Sequence, residues 1–443
     1  MLHKVTLEWP CLSIDFALPD RFESNFDLYN PGVKLPDSLL VDYTDPVTSQ
    51  KSKRHKDDKY PYKVYMVGGT QTDERSKVAN KLYVMKLYDM YKTQYDDQSE
   101  SDDDPNNFDD DPNLLFEWVP LKASINRVRT MNYSSITALW NEAGEVAIYD
   151  LSPLFLKLNA KKVNNKKKSK KNLKDAKLKV CGFNHAQEGY ALDWSPLKKG
   201  FLASGGHDTN IHLYIPSDST LGDWQMAKNP LKGHNASVED IQWSPSEESV
   251  MASCSVDTTV KIWDIRANTN SDSQITIPAH ETDVNVIAWN PACTYLLASG
   301  GDDGAFKVWD LRYLKRGGAI TNIKWHSGQI TSLQFQPREE SVLAVASSDN
   351  RLTIWDFGVE KDEEAKQRSE DKDIPQQLMF LHHGQDDIKE LRFHPYYDCM
   401  IASTANDGLN LFRPNFSPVS EESDSDDEGK KREAKLEEAM TDN

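Results

Sequence analysis

Five times in this chain a histidine is followed 29 residues later by an aromatic residue that closes a short apolar stretch. The pairs are His185 and Tyr214, His234 and Trp263, His280 and Trp309, His326 and Trp355, and His383 and Phe412. In four of the five an aspartate stands six residues before the aromatic: Asp208, Asp257, Asp303 and Asp349. A fixed internal period marks stacked supersecondary units, each too small to bury its apolar face alone. Within one unit the apolar stretches at 238–243, 251–256 and 260–263 are short and bounded by Ser, Asp or Pro, which is a strand pattern. Three such strands and a fourth beyond the aromatic make one four-stranded sheet. The 46-residue steps from Trp243 to Trp289 and from Trp289 to Phe335 match the length of one propeller blade.

The predicted fold is therefore all-β, a seven-bladed propeller. Five blades are read directly between His185 and Phe412. A sixth, degenerate one uses 125–129, 137–140 and 146–150 and lacks both the histidine and the aspartate. A seventh uses 64–68 and 82–86. Cys11–Phe16 is then left over, and the outer edge of the last blade is the place where it would close the ring without a free edge. The expected organisation is an opening segment with the ring-closing strand at 1–20, the propeller at 60–416, and a tail at 417–443.

The net charge of −18 hides three blocks. Residues 96–111 hold nine Asp or Glu, Asp102, Asp103, Asp104, Asp109, Asp110 and Asp111 among them, and no Lys or Arg. Residues 157–179 hold eleven Lys against the single acid Asp175. Residues 417–443 are an acidic tail in which Ser423 and Ser425 have acids three residues on, a pattern for acid-directed phosphorylation. Blocks of like charge cannot bury themselves and are expected to stay disordered, between blades or beyond the last one. A further insertion at 358–376 carries Asp362, Glu363, Glu364, Glu370, Asp371 and Asp373. No apolar run has the length of a membrane span, no signal-peptide core opens the chain, and no membrane role is expected. Five scattered cysteines without a Cys-x-x-Cys pair fit a reducing compartment.

The landmarks Gly233-His234, Ser244-Pro245, Asp257 and Trp263-Asp264 resemble those of WD-repeat units. In that family the His and Asp form a buried hydrogen-bond network inside each blade. Such a network is what a buried polar pair requires, so these residues are not taken as an acid–base couple. The segment Glu8-Trp-Pro-Cys-Leu-Ser-Ile-Asp-Phe16 resembles a strand shared by two groups, the retinoblastoma-binding type of histone-binding WD-repeat proteins and the glutamate-rich WD-repeat proteins. The blades at 190–196, 210–214, 237–245, 283–287 and 300–304, with 375–378, resemble the second group over nearly the whole chain.

The resemblance to the glutamate-rich family implies a non-enzymatic binding scaffold in ribosome assembly, with nuclear and nucleolar residence. Its client would be a basic ribosomal protein, the third of the large subunit, with core histones as another client and pre-ribosomal association. Histone chaperoning is the rival within chromatin. From the histone-binding relatives the resemblance carries over a partner-gripping wall at the 358–376 loop, with Ile374 and Leu378 as apolar contacts and Phe380 either contact or blade core. The Lys-rich run, Lys166, Lys167, Lys168, Lys170 and Lys171, reads as an import signal, with RNA contact or an internal clamp on acidic loops as alternatives. Trp263-Asp-Ile-Arg266 and Trp309-Asp-Leu-Arg312 resemble boxes that dock propellers on the adaptor of a cullin ubiquitin ligase, the rival function. No phosphate-cradling glycine loop, nucleophile elbow or zinc spacing is present, so neither catalysis nor a cofactor or metal is expected.

Overall fold

Short alternating runs of branched, small and aromatic residues form seven antiparallel four-stranded sheets in the computed structural model. It describes residues 2–5, 10–17, 40–44, 51–55, 62–72, 79–90, 112–161, 178–185, 187–217, 221–267, 273–314, 318–359 and 374–414. Each sheet is one blade of a propeller. The innermost strands of blades 1 to 7 are Cys11–Ala17, Ile125–Thr130, Ala191–Trp194, Val238–Trp243, Val284–Trp289, Ile330–Phe335 and Glu390–Phe393. A two-stranded hairpin, Leu40–Thr44 with Lys51–His55, is inserted after the first strand of blade 1. Among the described residues no helix is long and apolar enough to cross a membrane.

The ring does not close as the sequence suggests. Cys11–Ala17 is the innermost strand of blade 1, paired with Tyr62–Thr70, and not the outer edge of the last blade. The closing strand is Leu2–Val5, with Leu2 opposite Phe412 and Val5 opposite Leu409. The burial explains the assignment. Cys11, Ser13, Ile14, Phe16 and Ala17 are all buried, which only an inner strand requires, whereas the short closing strand leaves Lys4 exposed to pair with Asp407.

The blades pack face to face through apolar clusters. One joins Met66, Met85 and Leu87 of blade 1 to Met400 and Leu411 of blade 7. Another joins Val286 and Phe306 of blade 5 to Leu333 and Trp355 of blade 6. At Gly300 the approach is so close that a Cβ would meet Ile330 Cγ2 at 2.6 Å. The turn from second to third strand places one residue in the left-handed region in four successive blades: Thr209, Thr258, Gly304 and Asn350. Each follows the landmark aspartate, whose side chain caps the turn, as where Asp257 accepts from the Thr259 amide and hydroxyl.

The helix Ser152–Lys161 overlaps the start of the Lys-rich stretch, whose composition does not predict it. Its Leu154, Phe155 and Leu158 bury against Tyr65, Val67 and Leu82 of blade 1. Asn159 Oδ1 accepts from the Tyr65 hydroxyl and from Lys86 Nζ, both at 2.6 Å.

The charged insertions also sit differently. Residues 91–111, 162–177 and 360–373 lie outside the described residues, but the strands flanking each belong to one sheet: blades 1, 2 and 6. They therefore interrupt blades rather than link them. All three fall between third and fourth strands, where the fourth pairs with a single neighbour and lengthening does not disturb the ring. Because the strand directions repeat in every blade, all three insertions leave from one end of the sheets, the lower face, where the innermost strands finish.

Candidate functional site

The histidine–aspartate pairs are internal to the blades. In blade 4 the Trp263 indole donates to Ser253 Oγ (2.8 Å), Ser253 meets His234 Nε2 (2.7 Å), and His234 Nδ1 meets Asp257 (2.9 Å). Burial lowers the His234 pKa and so favours the neutral ring. Burial by itself would raise the Asp257 carboxyl, but donors from His234, Thr259 and Asn235 pull it well below the usual range. Blade 6 repeats the chain through Thr353 with Asp349 at 3.1 Å, and blade 5 through Ser299 with Asp303 at 3.5 Å. In blade 3 Asp208 turns to Asn210 and His212, while His185 bonds the Tyr214 hydroxyl (2.5 Å). These groups are committed to one another and form no reactive couple.

Blade 7 corrects the repeat. His383 is exposed, and His382 is the buried ring, stacked on Phe412 with centroids 4.5 Å apart. Here Gln385 takes the bond to Ser403, so no partner remains that would hold a histidine at 383.

The channel at the centre is lined by polar side chains that lock each blade to the next. Ser13 and Asp15 accept the amides of Val128 and Thr130, Asp193 that of Trp243, Asp240 and Gln242 those of Ile287 and Trp289, and Ser332 and Gln334 those of Leu391 and Phe393. Glu390 closes the circuit by accepting from the Ile14 amide (2.9 Å) and the Ser13 hydroxyl (2.6 Å). Its other oxygen meets Arg129 (2.7 Å) and Arg127 (3.1 Å). Burial would raise the Glu390 carboxyl, but Arg129, Arg127, Arg392 and Ser13 bring it down to about 2. Asp193, where burial outweighs the same kind of help, is pushed up to about 7. At the lower end the channel opens into a vestibule of about 200 Å³ ringed by Phe16, Trp194, Trp243, Trp289, Phe335 and Phe393.

The upper mouth is acidic. Tyr190 stands there between blades 2, 3 and 4, and its phenol pKa is raised by burial and then by the carboxylates of Glu188, Glu239 and Glu142, with Arg127 opposing. Glu142 accepts the Ser124 amide (3.0 Å) and Glu188 accepts from Asn126 (3.0 Å), which fixes two of the three carboxylates. Among the described residues none of the three forms an ion pair. Three positioned carboxylates beside a half-buried ring form a receptor for lysine or arginine. No motif announces this mouth, because the three acids come from three blades.

Of the residues singled out from sequence, Ile374 is 43% exposed and Leu378 is half-buried opposite Trp355. Phe380 is half-buried and stacks on Phe412, which makes it part of the packing between blades 6 and 7. Arg266 and Arg312 stand on the lower face with 69% and 53% of their side chains exposed. Each is forked onto the aspartate two residues before it, at 2.7 Å. Arg312 also lies 3.4 Å over the Tyr295 ring. Asp362, Glu363, Glu364, Glu370, Asp371 and Asp373 lie outside the described residues, as do Asp102–Asp104, Asp109–Asp111, Lys166–Lys171, Ser423 and Ser425. No cluster of three or more His, Cys, Asp or Glu among the described residues is placed to hold a metal.

Comparison with known proteins agrees with this architecture. The WD domain, G-beta repeat, matches residues 226–264, 271–310 and 317–356. The family of the histone-binding protein RBBP4, a component of the CAF1 complex, matches residues 1–90. The chain is 45% identical over 435 residues to glutamate-rich WD repeat-containing protein 1 of Dictyostelium discoideum, covering 94% of this chain and 80% of the relative. It is 36% identical over 427 residues to ribosome assembly protein rrb1 of Schizosaccharomyces pombe, covering 93% and 79%. It is also 36% identical over 439 residues to the protein heat stress tolerant DWD 1 of Arabidopsis thaliana, covering 93% and 86%.

Proposed function

The chain belongs to the glutamate-rich WD-repeat protein family, and from that premise we propose that it is a non-enzymatic chaperone of a basic ribosomal protein in ribosome biogenesis. The client in this reading is the third protein of the large subunit, bound in the nucleus and nucleolus and delivered to pre-ribosomes. The upper mouth carries the proposal: Glu142, Glu188 and Glu239 converge on Tyr190 and, among the described residues, have no ion-pair partner of their own. Ribosomal proteins and histones are small and strongly basic, and bind nucleic acid indiscriminately through phosphate contacts. A rigid ring that offers carboxylates in place of phosphates shields such charge until handover. The name of the fission yeast relative supports the ribosomal setting.

Affinity purification of the full chain from nuclease-treated cells tests the reading. The expected result is a near-stoichiometric basic ribosomal protein free of rRNA. Core histones in its place would move the protein to chromatin, a reading to which the match at residues 1–90 lends weight.

A second reading has its own observation. Arg266 and Arg312 repeat one geometry in neighbouring blades, each guanidinium exposed and held by its own aspartate. Docking onto a cullin-ligase adaptor would use this pair, and the name of the Arabidopsis relative points the same way. Changing both to alanine is expected to abolish adaptor capture while leaving client binding intact. Normal adaptor capture by the double variant, read by co-purification, would reduce the two boxes to surface packing.

A further inference from the structure

The outermost strand of blade 1, Asn113–Leu121, is unlike its six counterparts. It has nine residues, whereas the outer strand of blade 2 has six and that of blade 6 has five. The remaining four have three or four. Its two faces are sharply divided. Leu115, Val119 and Leu121 pack with the cluster beneath the helix Ser152–Lys161, and Glu117 pairs with Lys157 of that helix. On the opposite face Phe116 and Trp118 are 48% and 45% exposed. Beyond them the strand edge is free, since the sheet order ends there. A long edge carrying large rings in water is a template for another chain.

The chemistry around the strand specifies which chain. Lys81 Nζ already lies 5.0 Å from the Trp118 ring centroid, so the ring is placed to receive a cation. Rings two residues apart on a strand are separated by about 7 Å, the spacing at which an extended partner presents alternate side chains on one side. Just upstream run Asp109, Asp110 and Asp111, the end of a block with nine acids and no base. Asp111 is five residues from Phe116, so the chain itself keeps their Cα atoms within about 18 Å. A stacked nucleic acid would meet repulsion here, and a cationic peptide would meet attraction.

We propose that Asn113–Leu121 is a docking strip for an extended arginine- or lysine-rich segment of a basic protein. The segment pairs along the free edge, sets two cationic side chains on Phe116 and Trp118, and turns its remaining charge toward residues 96–111. The proposal rests on the chaperone reading and adds a second grip, distinct from the upper mouth. Two modest contacts on one client raise its overall affinity through local concentration.

The test is fluorescence anisotropy with a labelled peptide of alternating Arg and Thr, titrated with the full chain. The F116A/W118A variant is expected to bind about tenfold more weakly, from the loss of two cation–π contacts. A ring-preserving F116Y/W118F variant should bind like the wild type. All three should melt alike, because both side chains are exposed. Unchanged peptide affinity in F116A/W118A overturns the strip, and the chaperone reading survives if that variant still co-purifies a basic ribosomal protein. A wild-type chain that binds neither the peptide nor any basic ribosomal protein or histone overturns both. Binding of polyuridine RNA that F116A/W118A loses, with no competition from the peptide, would make the rings an RNA platform and overturn the proposal.

Discussion

Replacing Glu390 by alanine is expected to cost the propeller about 3–5 kcal/mol, the range for removing one partner of a buried charge pair. The side chain is 1% exposed and faces Arg129 and Arg127, 9% and 12% exposed, so the change leaves two guanidinium groups buried without their counter-ion. It also orphans the Ile14 amide and the Ser13 hydroxyl of blade 1. The damage therefore falls where the last blade meets the first two. Chemical denaturation should show the midpoint falling with no change in slope; an unaltered midpoint would mean that the circuit of channel bonds contributes nothing. The pH dependence follows from the carboxyl being held near 2 in the folded chain, below its ordinary 4.5. For such a group the stabilisation is complete above the unfolded value and is lost as pH falls through the folded one. The gap between wild type and Glu390→Gln should therefore be constant above about pH 5 and close toward pH 2.

Client capture should suffer most from the combined changes Glu142→Gln, Glu188→Gln and Glu239→Gln. The amide at 142 keeps the bond to the Ser124 amide, and the fold should be unaffected because no ion pair among the described residues is lost. Loss of three converging charges is expected to weaken binding of a basic client by about tenfold or more at low ionic strength, mainly through slower association. Wild-type affinity should fall steeply with added salt and the triple variant's should fall much less. Equal affinity and equal salt dependence in the two proteins would remove the upper mouth from the client path.

The blades are legible in the sequence because each carries its own punctuation. His234, Asp257 and Trp263 lie within one unit and serve one network, so local spacing records them. What spacing cannot record is any arrangement assembled across units. Ring closure is misplaced by pattern alone because Cys11–Ala17 is the more apolar segment, whereas Leu2–Val5 gains meaning only opposite Leu409–Phe412. His383 satisfies the period and His382 does the packing, since the bond to Ser403 passes to Gln385. The helix at Ser152–Lys161 is masked by its lysines, although Leu154, Phe155 and Leu158 have helical spacing. The acidic mouth is the extreme case, with one carboxylate from each of three blades and no motif in any of them.

Closing the ring with Leu2–Val5 makes the order of synthesis matter. Lys4 finds Asp407, 403 residues later, only after every other blade has left the ribosome. At about 5–20 residues per second that interval is about 20–80 s. Throughout it the first strand made has no sheet to join, and each finished blade presents an open side to the cell. Only the last strands to emerge supply Leu409–Phe412, the surface on which the first one settles.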